Sequence, residues 1–259
     1  MRIAESIAAE LRARILAGDE TEAARLPTQD QLVKEFGVSY PSVREALRIL
    51  ETEGLITVRR GSVGGAEVHR PDESSAAYHL GLALQGGRVT LGDLATGIQM
   101  FEPMCAAECA RRPDRATEVV PLLAANIDDS EPLVDAGPSF THTARRFHDL
   151  TVSLTPNATV RYVVRTLVTL WTTQEERWAQ SLASRDEYPS ASQAREVVTT
   201  HRRILSAIEA GRDDEAERLS RRHLAASQRF LVDRFDDGVV SAGAANSRQG
   251  TESGPHWRV

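Results

Sequence analysis

The most constraining feature of this sequence is a helix end and a helix start separated by one residue. Thr28, with Gln31 three positions on, forms a capping-box pattern, so a helix is expected there with Leu32, Val33 and Phe36 turned inward. Gly37 closes it, and only Val38 stands between that glycine and Ser39, the next N-cap candidate. Pro41 falls in the first turn of the following helix, where a missing N–H costs nothing. Val43, Leu47 and Leu50 then share one face. Upstream, Ile3, Ile7, Leu11 and Ile15 recur at helical spacing before Gly18. Downstream, Gly54 stops the third helix, Leu55 to Arg60 is β-rich, and Gly61, Gly64 and Gly65 make a flexible tip. Ala66 to Arg70 can return as a second strand. The order helix, helix, tight turn, helix, hairpin is that of a winged helix-turn-helix, with the third helix as reader and the glycine tip as wing.

The rest of the chain has a different texture. Pro71 to Ser75 reads as a linker. From Ala76 to about Phe235 only helical patterns occur, chiefly Leu91–Arg111, Ala116–Ile127, Ser139–Leu154, Ala158–Leu182, Ser192–Ala210 and Asp213–Phe235. Pro113, Pro138, Pro156, Pro189 and Gly211 mark the breaks. The expected fold is therefore mainly α. A winged helix-turn-helix spans residues 1–70, a linker 71–77 and an all-α bundle 78–237. Residues 238–259, rich in Gly, Ser and Ala, are expected to be a disordered tail.

Composition removes several function classes. With 259 residues and 41% hydrophobic content, the chain can build a sizeable core. Cys105 and Cys109, four apart in a helical stretch, cannot make a disulfide framework or a cysteine zinc site. They read as buried thiols in a reducing compartment. No run approaches the ~18 apolar residues of a membrane span. Met1-Arg2-Ile3-Ala4-Glu5 lacks the apolar region of a signal peptide. A cytoplasmic location, with no membrane partner, is expected. The net charge of −6 argues at first against nucleic acid. Residues 1–70 are nevertheless near neutral, with ten bases against eleven acids. Placement therefore decides: the bases that would face DNA cluster on the reading helix and wing.

These motifs carry a specific resemblance. Leu26-Pro27-Thr28, Phe36-Gly37-Val38-Ser39, Pro41-Ser42-Val43-Arg44-Glu45-Ala46-Leu47, Leu50-Glu51 and Glu53-Gly54-Leu55-Ile56 resemble the DNA-binding signature of GntR-type bacterial transcription factors. The remainder resembles the FCD effector-binding domain of the FadR subgroup. Its pattern is followed in order by Phe147-His148 with Asn157, by His201 with Ile204-Leu205 and Ala207-Ile208, and by Ala216 with His223-Leu224.

From the residues themselves, Thr28, Gln29, Ser39, Tyr40 and Ser42 supply polar groups at two helix N-termini, where free N–H groups and the dipole favour phosphate. Arg44 and Arg48, four apart, share a face and can reach base edges or phosphates together. A solvated salt-bridge face with Glu45 or Glu51 is the competing account of Arg44. By resemblance, Arg44 matches an arginine of the reading helix, and Arg60-Gly61 matches the wing tip. Relatives often carry arginine where Tyr40 stands and a base where Asp30 stands, so the operator sequence does not transfer.

His148, His201 and His223 fall on helix interiors. Antiparallel packing across Gly211 would bring His201 and His223 level, and the resemblance puts His148 beside them. Three neutral imidazoles suit Zn²⁺ or another first-row divalent ion. The carboxylate usual one turn before the first histidine is replaced by Ala144, so water or an effector oxygen would complete the shell. A metal-free effector pocket stays open as an alternative. Gln99, Glu102 and Asn157 are the effector-binding candidates by resemblance. The arginine that relatives carry one turn before Glu102 is absent here, and Asn157 also suits a helix N-cap. The resemblance implies a homodimeric regulator, usually a repressor, released from a palindromic double-stranded DNA operator by a small metabolite such as an organic acid. The competing reading is a metal-dependent hydrolase built on the same histidines.

Overall fold

The computed structural model describes residues 2–18, 25–58, 65–69, 73–183, 190–234 and 238–243. The chain divides into two compact units, Met1–Ser75 and Ala76–Val259.

In the first unit, α1 spans Ile3–Ala17 and buries Ile7, Ala8, Leu11 and Ile15. The second helix, α2, spans Gln29–Phe36 and opens on the expected capping box. Gln31 N donates to Thr28 Oγ1 at 3.4 Å, and Thr28 N donates to Gln31 Oε1 at 2.8 Å. Gly37 adopts φ +63, a left-handed conformation that costs most residues energy, and so allows the abrupt turn. The third helix, α3, spans Tyr40–Thr52 and buries Val43, Ala46, Leu47 and Leu50. Strands β1 (Ile56–Val58) and β2 (Ala66–Val68) pair antiparallel, with Ile56 opposite Val68 and Val58 opposite Ala66. Glu51 of α3 ties the hairpin down, its carboxylate accepting from Val58 N at 3.0 Å. These elements share one apolar core that includes Leu11, Leu32, Leu50 and Ile56.

The second unit is helical: α4 (Glu73–Gly86, its first residues belonging to the first unit), α5 (Leu91–Arg111), α6 (Arg115–Glu118), α7 (Val120–Ser130), α8 (Pro138–Ser153), α9 (Ala158–Ala183), α10 (Ala191–Glu209) and α11 (Asp213–Arg234), with a 3₁₀ turn at Glu131–Leu133. The buried face of α5 is long, from Leu91 to Ala110, and α8, α9, α10 and α11 all pack on this helix. Ala106, Leu123, Phe147, Ile204 and Ile208 belong to the largest core cluster.

Three expectations need correction. The linker at 71–77 is interrupted by α4, which begins at Glu73. Its apolar residues are diffuse rather than periodic, so pattern alone does not reveal it. The single helix at Ala116–Ile127 is two, divided at Val119 ahead of Pro121, whose ring and missing N–H do not suit a continuous helix. The expected tail begins with placed residues: Gly238–Gly243 lies along the bundle, and residues 244–259 lie outside the described residues. Leu91 N donates to Gly238 O, and Val240 N donates to Val89 O, both at 2.9 Å. Gln174 of α9 grips Ser241 from both sides, donating to its carbonyl at 2.8 Å and accepting from its N–H at 3.1 Å. Gly81 of α4 makes room for the segment, since a Cβ there would lie 2.7 Å from Ala242 Cα. Val240 is fully buried. Two adjacent valines in a small-residue stretch were signal enough for burial, though not for a periodic element.

Candidate DNA interface and ligand site

The first unit presents a polar face at the start of α3. Ser39 is the N-cap by backbone position, but its hydroxyl lies 3.1 Å from that of Ser42 instead of capping the helix. Gln29 is the first residue of α2, half-buried beside the capping threonine. Arg44 is exposed and has no ion pair among the described residues. Arg48 lies 3.6 Å from Glu45, with its side chain 76% exposed. The salt-bridge account thus holds weakly for Arg48 and not for Arg44. Two other arginines of the unit, Arg12 and Arg14, are engaged in its scaffold. Arg12 donates to Glu53 through Nε at 2.8 Å, and Arg14 donates to Glu35 at 2.6 Å. The two positions that depart from the resembled pattern meet each other: Tyr40 Oη donates to Asp30 Oδ1 at 3.1 Å. That bond, followed by the nearby carboxylate charge, pushes the Tyr40 phenol above its ordinary range. Arg60 and Gly61 of the wing lie outside the described residues.

In the second unit, α8, α10 and α11 bring three histidines together. Nε2 of His223 lies 3.0 Å from Nε2 of His201 and 3.2 Å from Nε2 of His148. One ligand atom from each falls within a 4.8 Å group. Each ring is held. His201 is fully buried and stacks on Phe147, with centroids 4.1 Å apart and planes at 9°. The His148 and His223 rings are parallel at 5.1 Å. His148 Nδ1 lies 2.5 Å from Glu102 Oε1, on a glutamate only 3% exposed.

The electrostatics favour neutral rings at His201 and His223. Burial first, then the neighbouring imidazoles, lowers the His201 pKa well below its ordinary value. Burial, with His148 as second cause, lowers His223 to about 3. Neutral imidazole is the ligating form, and a carboxylate on the far nitrogen fixes which nitrogen carries the proton. Glu102 does this for His148. Tetrahedral zinc, at about 2.0–2.1 Å to each nitrogen, separates its ligand nitrogens by about 3.3 Å, close to the two spacings from His223. The residues present therefore fit a small divalent ion, with Ala144 leaving one side open.

A cavity of about 450 Å³ opens beside the cluster. It is lined by all three histidines, by apolar side chains including Phe140, Ala144 and Leu219, and by charged ones including Arg145 and Glu175. The effector candidates named from resemblance are not in its wall. Gln99 Nε2 donates to Gln228 Oε1 at 2.9 Å, joining α5 to α11. Asn157 sits ahead of α9, its Oδ1 accepting from Val160 N at 3.1 Å, and so acts as a helix cap. Glu102 reaches the site only through His148 and a smaller cavity of about 20 Å³. Their positions in the sequence carried no information about which side of α5 or α9 faces the cavity. Arg145 and Glu175, 30 residues apart on different helices, were missed. Only the adjacency of Arg145 to Ala144 and His148 hinted at it. Cys105 and Cys109 are buried and free, with burial raising their thiols to about 11 and about 12, as expected of unreactive core residues.

Residues 3–64 match the profile of bacterial regulatory proteins of the gntR family, and residues 95–226, half of the chain, match the FCD domain. The HTH-type transcriptional repressor NanR of Klebsiella aerogenes is 36% identical over 83 residues, covering 32% of this chain and 31% of that protein. NanR of Escherichia coli O127:H6 is 26% identical over 162 residues, covering 60% of this chain and 59% of the relative. The HTH-type transcriptional regulator Mce2R of Mycobacterium tuberculosis is 36% identical over 61 residues, covering 24% and 25%. The matches thus span between a quarter and three fifths of the length of these relatives. Among solved structures, Streptococcus agalactiae GntR has the same fold, with a TM-score of 0.63 at 22% identity over 88% of this chain and 99% of that one. The winged helix-turn-helix and the histidine-bearing bundle are the two matched parts of one chain, which belongs to the gntR family of bacterial regulatory proteins and carries an FCD domain.

Proposed function

We propose that the protein is a ligand-responsive, DNA-binding transcription regulator. The observation that carries this is the pairing, in one chain, of an exposed Arg44 with no ion pair among the described residues, on a reading helix, with a cavity built beside three histidines. Thr28, Gln29, Ser39, Tyr40 and Ser42 would meet the DNA backbone and groove edge. Arg44 and Arg48 would enter the major groove, and Arg60 with Gly61 would form the wing contact. Functionally the chain divides as DNA-binding residues 1–70 and effector-binding residues 78–237. His148, His201 and His223 would hold a divalent ion such as Zn²⁺, supplying a Lewis-acidic centre for an effector oxygen. Glu102 fixes the proton of His148, and Phe147 fixes the plane of His201. A metal-free cavity would serve the same regulatory role.

A dimer would place two reading helices on a palindromic operator. Exposed Met100 and Phe101 on α5, with Tyr162 and Val163 on α9, offer apolar surface for such an assembly. Among the described residues no helix is long and apolar enough to cross a membrane, and a cytoplasmic repressor accords with that. The histidines are read here as a sensing rather than a hydrolytic site.

The test is selection of binding sites from a random double-stranded DNA library with the full chain, followed by titration against salt. A specific palindrome and a steep loss of affinity with salt are expected. Binding with no sequence preference, or hydrolytic turnover that vanishes in His201→Ala, would overturn the reading.

A further inference from the structure

The reading helix α3 carries a row of exposed side chains four residues apart: Tyr40, Arg44 and Arg48. That spacing sets them one above another on the helix, apart from the buried Val43, Leu47 and Leu50. Tyr40 is the first residue of α3 and the foremost of the row. In a helix-turn-helix, residues at that end of the second helix meet the base edges. Its ring is 46% exposed, a large aromatic surface turned to solvent and not to the core.

The row is chemically divided. Guanidinium only donates, so Arg44 and Arg48 are served by acceptors. Tyr40 is set to the opposite task. Its Oη donates to Asp30 Oδ1 on α2 at 3.1 Å, and the phenol, held above its ordinary range by that bond, keeps its proton at neutral pH. A phenol has one proton. With that proton given to Asp30, only the lone pairs of Oη remain for another molecule. Asp30 is exposed, has no basic partner among the described residues, and is itself acceptor-only. Tyr40 and Asp30 thus make an acceptor patch ahead of two cations. Base edges in the major groove divide by the same criterion. Cytosine N4 and adenine N6 are amino donors, whereas the polar atoms of guanine and thymine there are acceptors.

We infer that Tyr40 is a specificity-determining residue of the reading helix, its phenol oriented by Asp30 to accept a hydrogen bond from the exocyclic amino group of one cytosine or adenine in the binding site. The inference rests on the reading of α3 as the helix that enters the major groove. Asp30 acts through Tyr40 and is a positioning residue. Its charge has a second effect: it repels phosphate, so it lowers affinity for every sequence while sharpening the choice among them.

The test uses the full chain and the DNA site it selects from a random library. In that site each adenine is replaced in turn by purine and each cytosine by 2-pyrimidinone, which lack the exocyclic amino group. At one base the parent chain should lose affinity by about ten-fold, within the cost of one mismatched base pair. Tyr40→Phe should be indifferent to the same replacement. Asp30→Ala frees the phenolic proton, so it should shrink that loss and tighten binding to unrelated DNA. Asp30→Asn, which keeps the shape and removes the charge, should tighten binding to unrelated DNA as well. A bond that merely ties α2 to α3 would instead lower the unfolding temperature in these variants and weaken all sequences alike. That result, amino-group losses that persist in Tyr40→Phe, or a Tyr40→Phe chain that loses sensitivity to 7-deazaguanine instead would each overturn the inference while leaving a sequence-selective regulator. A parent chain that selects no site would overturn the reading of α3 together with it.

Discussion

The two units place their chemistry on opposite sides of the hydrophobic boundary. In the first, the core is apolar and the side chains available for work, Arg44 above all, are exposed. In the second, Glu102, His201 and His223 are themselves buried, and a cavity is cut into the bundle beside them. A surface that meets a polyanion needs cations that keep their freedom, and helix ends already pointing outward. A site that encloses a small ligand needs polar groups stripped of water, each fixed by a partner, because an unpaired buried group is costly. The difference separates two kinds of fragility: truncating an exposed residue should change binding alone, whereas truncating a buried one should change binding and packing together.

The largest expected effect lies in the second unit. His223→Ala should cost divalent-metal affinity beyond the roughly 10–100-fold expected when a supporting hydrogen bond is lost. Glu102→Gln should fall inside that range. Calorimetric titration with Zn²⁺ checks both, and equal losses in the two variants would break the distinction between ligand and support. In the first unit, Arg44→Ala should weaken specific DNA binding by about 1–3 kcal/mol while leaving the unfolding temperature in place. If Arg44 meets a base, preference at one position per half-site relaxes. If it meets a phosphate, the salt slope falls by about 1 with preference intact.

A smaller effect is set by protons. In the unfolded chain His201 and His223 titrate near 6.5, whereas in the folded chain both stay neutral to much lower pH, His223 to about 3. Below 6.5 the unfolded state therefore binds more protons, and the metal-free second unit should lose stability as pH falls from 6.5 toward 3. The first unit has no buried histidine among its described residues and should not share this window. Circular dichroism melts across that range would show it, and a second unit indifferent to pH would contradict the burial of its histidines. Smallest is Thr28→Ala, which removes the α2 cap and should destabilise the first unit by about 1 kcal/mol in denaturant unfolding.

What the sequence made legible follows the same division. The first unit is written in local chemistry. Thr28 with Gln31, Gly37, Pro41 and Gly54 each act within four residues, and each stands where spacing put it. The second unit is written in long-range pairings. The histidines could be named because their helices are periodic and a resemblance supplied the third partner. Nothing in the spacing joined Arg145 to Glu175, Gln174 to Ser241, or Tyr40 to Asp30. Asn157 shows the converse hazard, since a residue that fits a pattern by position serves as a helix cap once its surroundings are known.

The docked segment at Gly238–Gly243 brings the last described residues of the second unit beside α4. It lies against Gly81 and Gln85 of α4 while bonded to Val89 and Leu91 and gripped by α9. The amides of Leu91 and Val240 are both spent on that seam. Opening it at either end exposes the same backbone groups, so these amides should exchange with solvent together, as one cooperative element and not as two fraying termini. Among the described residues, α4 and the Gly238–Gly243 segment are thus sealed by one shared seam.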